Sequence, residues 1–192
     1  MRITARAKAE TRDRILSVAG RLFRERGFAA TSTRDLAREA GIAAGTLFNY
    51  FPSKEALGAA ILAEGLARGE ETFLAEQRGD ESLEELLFAH IAAGLRALQD
   101  CRGFAGEVLE AALGLFQTSG PDTDELRLRH LAIVNELLLR DGEHPEPGVV
   151  TLHLYWSLYL GVLAFWARDD SPRQEDTLAV LDESMKLFVS SL

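Results

Sequence analysis

The stretch that decides the fold is TSTRDLAREAGIAAGTLFNYFPSKEAL, residues 31–57. Ser32 stands three residues before Asp35, a spacing that favours a capped helix start because both side chains can bond to free amide groups. Gly41 can adopt the left-handed conformation of a tight turn, and a third helix is expected at about residues 44–50. Two short helices joined through a glycine indicate a helix-turn-helix.

The same stretch resembles the TetR/AcrR family of transcriptional regulators. The family pattern is a capped second helix with a basic residue, a Gly-apolar turn, a Gly-Thr-Leu-aromatic-x-aromatic-Phe helix and a following lysine. The matching residues are Arg34, Gly41, Ile42, Gly45, Thr46, Leu47, Phe48, Tyr50, Phe51 and Lys54. The resemblance implies a ligand-responsive regulator that binds a palindromic double-stranded DNA operator as a homodimer. By family analogy the expected action is repression.

The chemistry of the stretch agrees with this implication, because a short helix that enters the major groove needs a tip of small residues and polar side chains that reach base edges. Arg34 can bind guanine in a bidentate manner, and Lys54 is expected to contact a phosphate. Ile42, Leu47 and Phe51 are expected to face inward. The expected DNA-binding residues are Thr33, Arg34, Ala44, Gly45, Thr46, Phe48, Asn49, Tyr50 and Lys54.

Three positions depart from the family pattern. Ala43 replaces the usual serine cap of the third helix, Ala44 replaces a common lysine, and Phe48 replaces the usual tyrosine. A missing cap costs ~0.5–2 kcal/mol of helix stability. These departures keep open an alternative function, a helical ligand-binding or protein-interaction module without DNA affinity.

Charge is divided along the chain. The formal net charge is -9, yet residues 1–58 carry a balance of +5 and residues 59–192 a balance of -14. A basic unit can meet phosphates while an acidic unit stays clear of them. The alternative is that this division of charge reflects only an uneven distribution of charged residues on the surface and has no functional meaning.

Apolar residues recur at spacings of three and four, which predicts an all-α fold of about nine helices. The expected division is a helix-turn-helix DNA-binding domain at residues 1–52 and a helical effector-binding and dimerisation domain at residues 53–192. After a first helix that ends at Gly27, the helices are expected at about 33–40, 44–50, 53–78, 82–98, 104–117, 123–140, 149–168 and 173–190.

The family resemblance implies that the last two helices form a four-helix bundle in the dimer. On the eighth helix, three small residues share a face with Leu154 and Phe165, and small residues let another backbone approach closely. On the ninth helix, Leu178 belongs to an apolar stripe that also fits a plain core. The expected interface residues are Ser157, Gly161, Ala164, Leu181, Met185 and Phe188.

The resemblance also implies a cavity for a small-molecule effector. Trp156 lies about 140° away from the small-residue face of the eighth helix, together with apolar and polar side chains, as in ligand sites. The expected effector-binding residues are His90, His153, Trp156 and Tyr159. The alternative is that Trp156 and Tyr159 fill the core with their polar atoms hydrogen-bonded.

Catalysis is not expected. An enzyme needs a nucleophile with its base, a metal set or a cofactor loop, and none occurs at a recognisable spacing. The four histidines are scattered, so no metal or cofactor is expected, and the single Cys101 fits a packing role better than a redox role. No stretch combines enough apolar residues for a membrane span, and no signal core follows the basic start, so a cytoplasmic protein is expected.

Overall fold

The computed structural model describes residues 4–112, 121–142 and 146–192. Within these ranges the fold is all-α, with nine α-helices, two short 3-10 helices and no strand, which confirms the predicted fold class. The C-terminal end of the helix predicted at 104–117, and residues 143–145 before the eighth helix, lie outside the described residues. The helices are α1 Ala5–Arg26, α2 Thr33–Glu39, α3 Ala44–Leu47, α4 Lys54–Glu76, α5 Leu83–Ala97, α6 Arg102–Ala112, α7 Pro121–Asp141, α8 Val149–Trp166 and α9 Glu175–Ser190. The 3-10 helices are Gln99–Cys101 and Pro172–Gln174.

The helix boundaries follow local chemistry. Gly27 ends α1 with a φ of 85°, and Gly41 turns the chain after α2 with a φ of 66°, backbone conformations that favour glycine. The Ser32 hydroxyl accepts a hydrogen bond from the Asp35 amide at 3.2 Å, so the predicted cap of α2 is present. At the start of α5, Ser82 and Glu85 form a complete capping box.

The first of two compact units contains the described residues up to Glu64 together with those from Asp100 to the end of α6. Its core is aromatic: the Phe23 ring lies 5.0 Å from that of Phe28 and 5.4 Å from that of Phe104 in α6. The helix-turn-helix therefore folds with part of α4 and with α6. The division expected at residue 52 separates a DNA-binding part from an effector-binding part, which is a different criterion from compactness. It stays a prediction.

The second compact unit begins at Gly65, continues to Gln99 and resumes at Asp124. In it α5 and α8 both pack against α9. Helices α4 and α5 approach so closely that a Cβ on Gly69 would lie 2.7 Å from the Cα of Gly94. Glycine at position 69 is therefore required by the packing.

The apolar stripe of α9 faces this core and not a partner. Leu181, Met185 and Phe188 are almost completely buried within the chain, and the Phe188 ring packs 5.4 Å from Tyr155. The assignment of these three residues to the dimer interface was wrong, because both kinds of face show the same helical spacing. The large apolar side chains of α9 that are exposed are Leu178 and Leu187.

Helix α8 is apolar along its whole length. Over its 18 residues the mean hydropathy is 1.5, so by length and composition alone it could cross a membrane, as many core helices could. One side is buried in the unit and includes Tyr155, Tyr159 and Trp166. The other side is exposed and consists of Leu154, Ser157, Gly161, Ala164 and Phe165.

Candidate functional site

The recognition segment is a single turn of α-helix followed by looser turns. Helix α3 covers only Ala44–Leu47, shorter than the predicted 44–50, and the Phe51 amide then donates to the Leu47 carbonyl at 3.0 Å. Ala43 occupies the N-cap position without a side-chain hydrogen bond, as the sequence predicts. Free amide groups therefore remain at the start of this helix.

The segment turns its apolar side chains inward and its small and polar residues outward. Leu47 and Phe51 are buried, while Phe48 is 50% exposed. A Cβ placed on Gly45 would meet no atom within 4 Å. The protein's own packing does not require glycine there, so the tip is open to another molecule. Exposed residues of the predicted set are Arg34, Ala44, Gly45, Phe48 and Asn49, and Thr33, Thr46 and Tyr50 are half-buried.

Arg34 differs from Arg38 and Arg21 in its charge environment within the described part of the chain. Arg38 pairs with Asp35 at 2.6 Å, and Arg21 pairs with Glu39 at 3.1 Å. Arg34 has no ion-pair partner among the residues that the structure describes. Its guanidinium is therefore available to bind a phosphate or a guanine edge.

Lys54 binds within the protein. Its ammonium group donates a hydrogen bond to the Phe28 carbonyl at 2.8 Å and lies 4.4 Å from the centre of the Phe28 ring. The side chain thus connects the start of α4 to the segment between α1 and α2. The predicted phosphate contact loses its structural support, because the cation already has partners.

A second connection to the same segment escaped the sequence analysis. The Glu107 carboxylate in α6 accepts a hydrogen bond from the Ala29 amide at 3.1 Å. Lys54 and Glu107 therefore bind the carbonyl and the amide of the same peptide group, the one that joins Phe28 to Ala29. No local pattern in the sequence encodes this contact, because the two residues are 78 positions apart.

A small polar cavity lies inside the second unit. Its volume is about 10 Å³, enough for about one water molecule. Two of its seven lining residues belong to α4, three to α5, one to α7 and one to α8. The lining residues are Leu66, Glu70, His90, Ile91, Gly94, His130 and Tyr159.

Three aromatic rings stack beside the cavity. The His130 ring lies 4.4 Å from that of His90 and 4.2 Å from that of Tyr159. The Tyr155 hydroxyl is 3.1 Å from Nε2 of His130. Burial lowers the pKa of His90 to about 4 and that of His130 well below its ordinary value, so both imidazoles are neutral near pH 7.

Glu70 carries the only carboxylate among the lining residues. Arg129 Nε lies 2.5 Å from Oε2 and forms an ion pair with the carboxylate. Oε1 and both ring nitrogens of His90 are buried and have no hydrogen-bond partner within the described part of the chain. Burial raises the pKa of Glu70, and the adjacent Arg129 partly opposes this effect.

Comparison with known sequences gives two kinds of match. The sequence model described as "Bacterial regulatory proteins, tetR family" matches residues 15–61. The HTH-type transcriptional regulator UidR of Escherichia coli K12 is 38% identical over 177 residues, which cover 85% of each chain. The chain belongs to the TetR family. The HTH-type transcriptional repressor KstR2 of Rhodococcus jostii is 46% identical over 55 residues, but this match spans only 27% of that repressor's length.

Solved TetR structures share the fold over nearly the whole chain. A TetR transcriptional regulator from Rhodococcus sp. RHA1 has a TM-score of 0.75 with 23% identity, covering 96% of this chain and 99% of the other. FadR of Thermus thermophilus, solved in complex with lauroyl-CoA, has a TM-score of 0.72 with 21% identity and 94% coverage of each chain. The family predicted from residues 31–57 is confirmed.

Within this TetR fold, the predicted effector residues are only partly brought together. His90 and Tyr159 line the cavity, and Trp156 packs beside it, 5.2 Å from the Tyr159 ring. His153 is exposed on α8, about 120° around the helix from Tyr159, and it does not line the cavity, so its assignment to the effector site finds no support there. Glu70 and His130 were missed. Among the described residues, no three His, Cys, Asp or Glu side chains are placed to hold a metal ion together.

Proposed function

We propose that this TetR-family protein is a transcriptional repressor of the bacterial cytoplasm that binds a palindromic operator as a dimer. The observation that carries the proposal is the open tip of α3, where a Cβ on Gly45 would meet no atom within 4 Å. Arg34 in α2, exposed and without an ion-pair partner among the described residues, adds a cation to the same helix-turn-helix. Small residues let a helix approach base edges closely, and a free guanidinium can bind guanine or phosphate. The +5 balance of residues 1–58 supports contact with a polyanion.

The dimer is proposed on the exposed side of α8. Leu154 and Phe165 are 40% and 42% exposed there. The exposed residues that lie between them on this face, Ser157, Gly161 and Ala164, are small. On α9, Leu178 and Leu187 are also exposed. Association of two copies through these faces would remove this apolar area from water. One three-helix unit contacts too little DNA for regulatory affinity, so two copies acting together account better for operator binding.

The effector site is proposed at the polar cavity of the second unit. A ligand pocket is commonly ~300–1,000 Å³, so a cavity of about 10 Å³ must open before it can admit a whole molecule. A ligand that binds the opened form better than the closed one shifts the population between them. We expect the opened form to bind the operator less tightly. The lauroyl-CoA of Thermus thermophilus FadR provides a precedent in this fold for a small-molecule ligand.

The experiment that tests the function is selection of bound genomic fragments, followed by footprinting of the selected DNA. The proposal predicts protection of an inverted repeat by a dimer. If no fragment is selected over random DNA, the chain is a helical ligand-binding or interaction module and the proposal is wrong.

A further inference from the structure

The cavity of the second unit contains polar atoms that its own walls leave unpaired. Glu70 Oε1 and both ring nitrogens of His90 have no hydrogen-bond partner in the described part of the chain. Both residues are about 2% exposed. A buried polar atom without a partner is costly, and such atoms are rare in native proteins. Because they converge on one small space, they indicate what that space binds.

The unpaired atoms include both kinds of hydrogen-bonding group. A carboxylate oxygen only accepts, whereas a neutral imidazole donates from one ring nitrogen and accepts at the other. Burial keeps the His90 imidazole neutral near pH 7. The complementary group must therefore both donate and accept. A hydroxyl does so with a single oxygen, and two adjacent hydroxyls can serve Glu70 and His90 together.

The charge balance of the cavity excludes a charged occupant. The Glu70 carboxylate already has a counter-ion, because Arg129 Nε lies 2.5 Å away. A ligand carboxylate would be buried beside this carboxylate and would have to compete for the same guanidinium. A ligand ammonium would leave an uncompensated positive charge among neutral rings. Burial of an unpaired charge costs far more than burial of a neutral polar group.

The cavity is large enough to hold only one end of a ligand. A volume of about 10 Å³ is the room for about one water molecule, so a single hydroxyl enters without repacking and a second one requires the cavity to open. The Arg129 side chain is 47% exposed although its partner Glu70 is buried, so this ion pair leads from the cavity to the surface. The rest of a ligand can extend in that direction.

We propose that the effector presents an uncharged, hydroxylated head to Glu70 and His90, with adjacent hydroxyls that both donate and accept hydrogen bonds. This inference rests on the proposed effector site and specifies its chemistry. Glu70 Oε1 accepts from one hydroxyl, and His90 exchanges hydrogen bonds with the other. An acyl chain alone would leave all of these atoms unpaired.

The test uses small probes that share a six-carbon skeleton and differ at the head. The probes are 1,2-hexanediol, 1,6-hexanediol, hexanoate and hexylammonium. Binding to the full chain at pH 7 is followed by saturation-transfer NMR on the probe. Because two hydrogen bonds to buried groups are at stake, 1,2-hexanediol is expected to bind about tenfold more tightly than each of the other three probes. Tighter binding of hexanoate or hexylammonium, equal binding of the two diols, or no saturable binding at all overturns the proposal.

Variants connect the probe to the two side chains. His90→Phe keeps a ring beside Phe73, whose centre is 4.9 Å from that of His90, and removes both ring nitrogens. It is expected to weaken 1,2-hexanediol binding by about fivefold or more. Glu70→Gln tests the carboxylate with little change of shape and is expected to weaken binding in the same direction. His153→Phe, on the exposed surface, is the matched control and should bind as the wild type does.

Each outcome separates this inference from the proposed function. Unchanged diol binding in both the His90 and Glu70 variants, with thermal midpoints near that of the wild type, overturns the assignment of the head group. If one variant fails to fold, the other decides. A protein that binds its operator but shows no preference for the diol contradicts only this inference. A protein that binds no operator contradicts the proposed function, whatever the probes show.

Discussion

The ammonium nitrogen of Lys54 lies 2.8 Å from the carbonyl oxygen of Phe28, 26 residues earlier in the chain. This bond fixes the segment between α1 and α2 to the start of α4. Glu107 binds the next amide, that of Ala29, at 3.1 Å. The helix-turn-helix is thus held from two sides, by one cation and one anion.

Replacement of Lys54 is therefore expected to act on stability. Lys54→Met removes a charge-assisted hydrogen bond, and we expect a loss of about 1–2 kcal/mol in the free energy of unfolding. The slope of operator affinity against salt concentration should change less than in Arg34→Ala, because the Lys54 cation already binds the protein. Urea unfolding and fluorescence anisotropy at several salt concentrations measure both effects. If the salt slope of the Lys54→Met protein fell by about one while its stability stayed unchanged, Lys54 would be assigned to a phosphate contact after all.

Arg34→Ala is expected to affect recognition and leave the fold unchanged. Since Arg34 has no ion-pair partner among the described residues, its loss removes no internal contact of that kind. Preference at one base position should relax by about 1–3 kcal/mol. Arg38→Ala is the matched control, because Arg38 pairs with Asp35 at 2.6 Å. Anisotropy titrations on a set of single-base operator variants measure the preference. Equal losses on every sequence would assign Arg34 to a phosphate instead.

Ala43→Ser supplies the missing cap of α3. Ala43 has an extended backbone, with φ -68° and ψ 145°, and no side-chain hydrogen bond, which is the geometry that a serine cap needs. We expect a gain of about 0.5–1 kcal/mol in stability and tighter operator binding, because a formed helix loses less entropy on docking. Ala43→Gly controls for backbone effects. Weaker binding with an intact fold would show that position 43 contacts the DNA directly.

The buried imidazoles predict a loss of stability in acid. The pKa of His90 falls from 6.5 to about 4, so below pH 6.5 the unfolded chain takes up a proton that the folded chain does not take up until about pH 4. The free energy of unfolding should fall over this window by up to about 1.4 kcal/mol per pH unit for each such group. His130 acts in the same direction. Glu70, whose pKa is raised, binds its proton first in the folded state and opposes the fall above pH 4.5.

Urea unfolding at fixed protein concentration between pH 7 and pH 5 measures this dependence. His90→Phe should reduce the slope of stability against pH, and Glu70→Gln should increase it, because the two groups have opposite signs. The same slope in wild type and His90→Phe would show that the pKa of His90 does not change on folding.

Gly161→Leu tests the dimer face on α8. A Cβ on Gly161 would meet no atom within 4 Å, so the single chain can accept a larger side chain there. A leucine in the middle of the interface would clash with the partner chain. The dissociation constant of the dimer, measured by analytical ultracentrifugation, is therefore expected to rise about tenfold or more. Leu139→Ala, at an exposed leucine of α7, is the control. If the Gly161→Leu protein dimerises normally, the interface does not include the exposed side of α8 at Gly161.

Local patterns predicted most of the fold. Ser32, Gly41 and Ser82 mark helix boundaries through contacts with residues a few positions away, so they can be recognised in the sequence. The helix-turn-helix was predictable for the same reason. The side of α9 that is buried was not predictable, because Leu181 and Phe188 have the same spacing whether they face α5 and α8 or a second chain.

The site was less predictable, because it depends on distant contacts. Glu70, His90 and Tyr159 come from three helices, and only the fold brings them to one cavity. His90 and Tyr159 were predicted from apolar surroundings on their own helices. Glu70 lies in a charged stretch, GEE, that favours a solvated face. Its pairing with Arg129 at 2.5 Å joins residues 59 positions apart.

The central claim is that two copies of the helix-turn-helix bind one operator. Footprinting of a selected genomic fragment, with the bound mass determined on the same complex, tests it most directly. We predict an inverted repeat whose half-sites lie about one helical turn apart or slightly more, protected by an even number of chains. Protection of a single asymmetric half-site by one chain would contradict the claim.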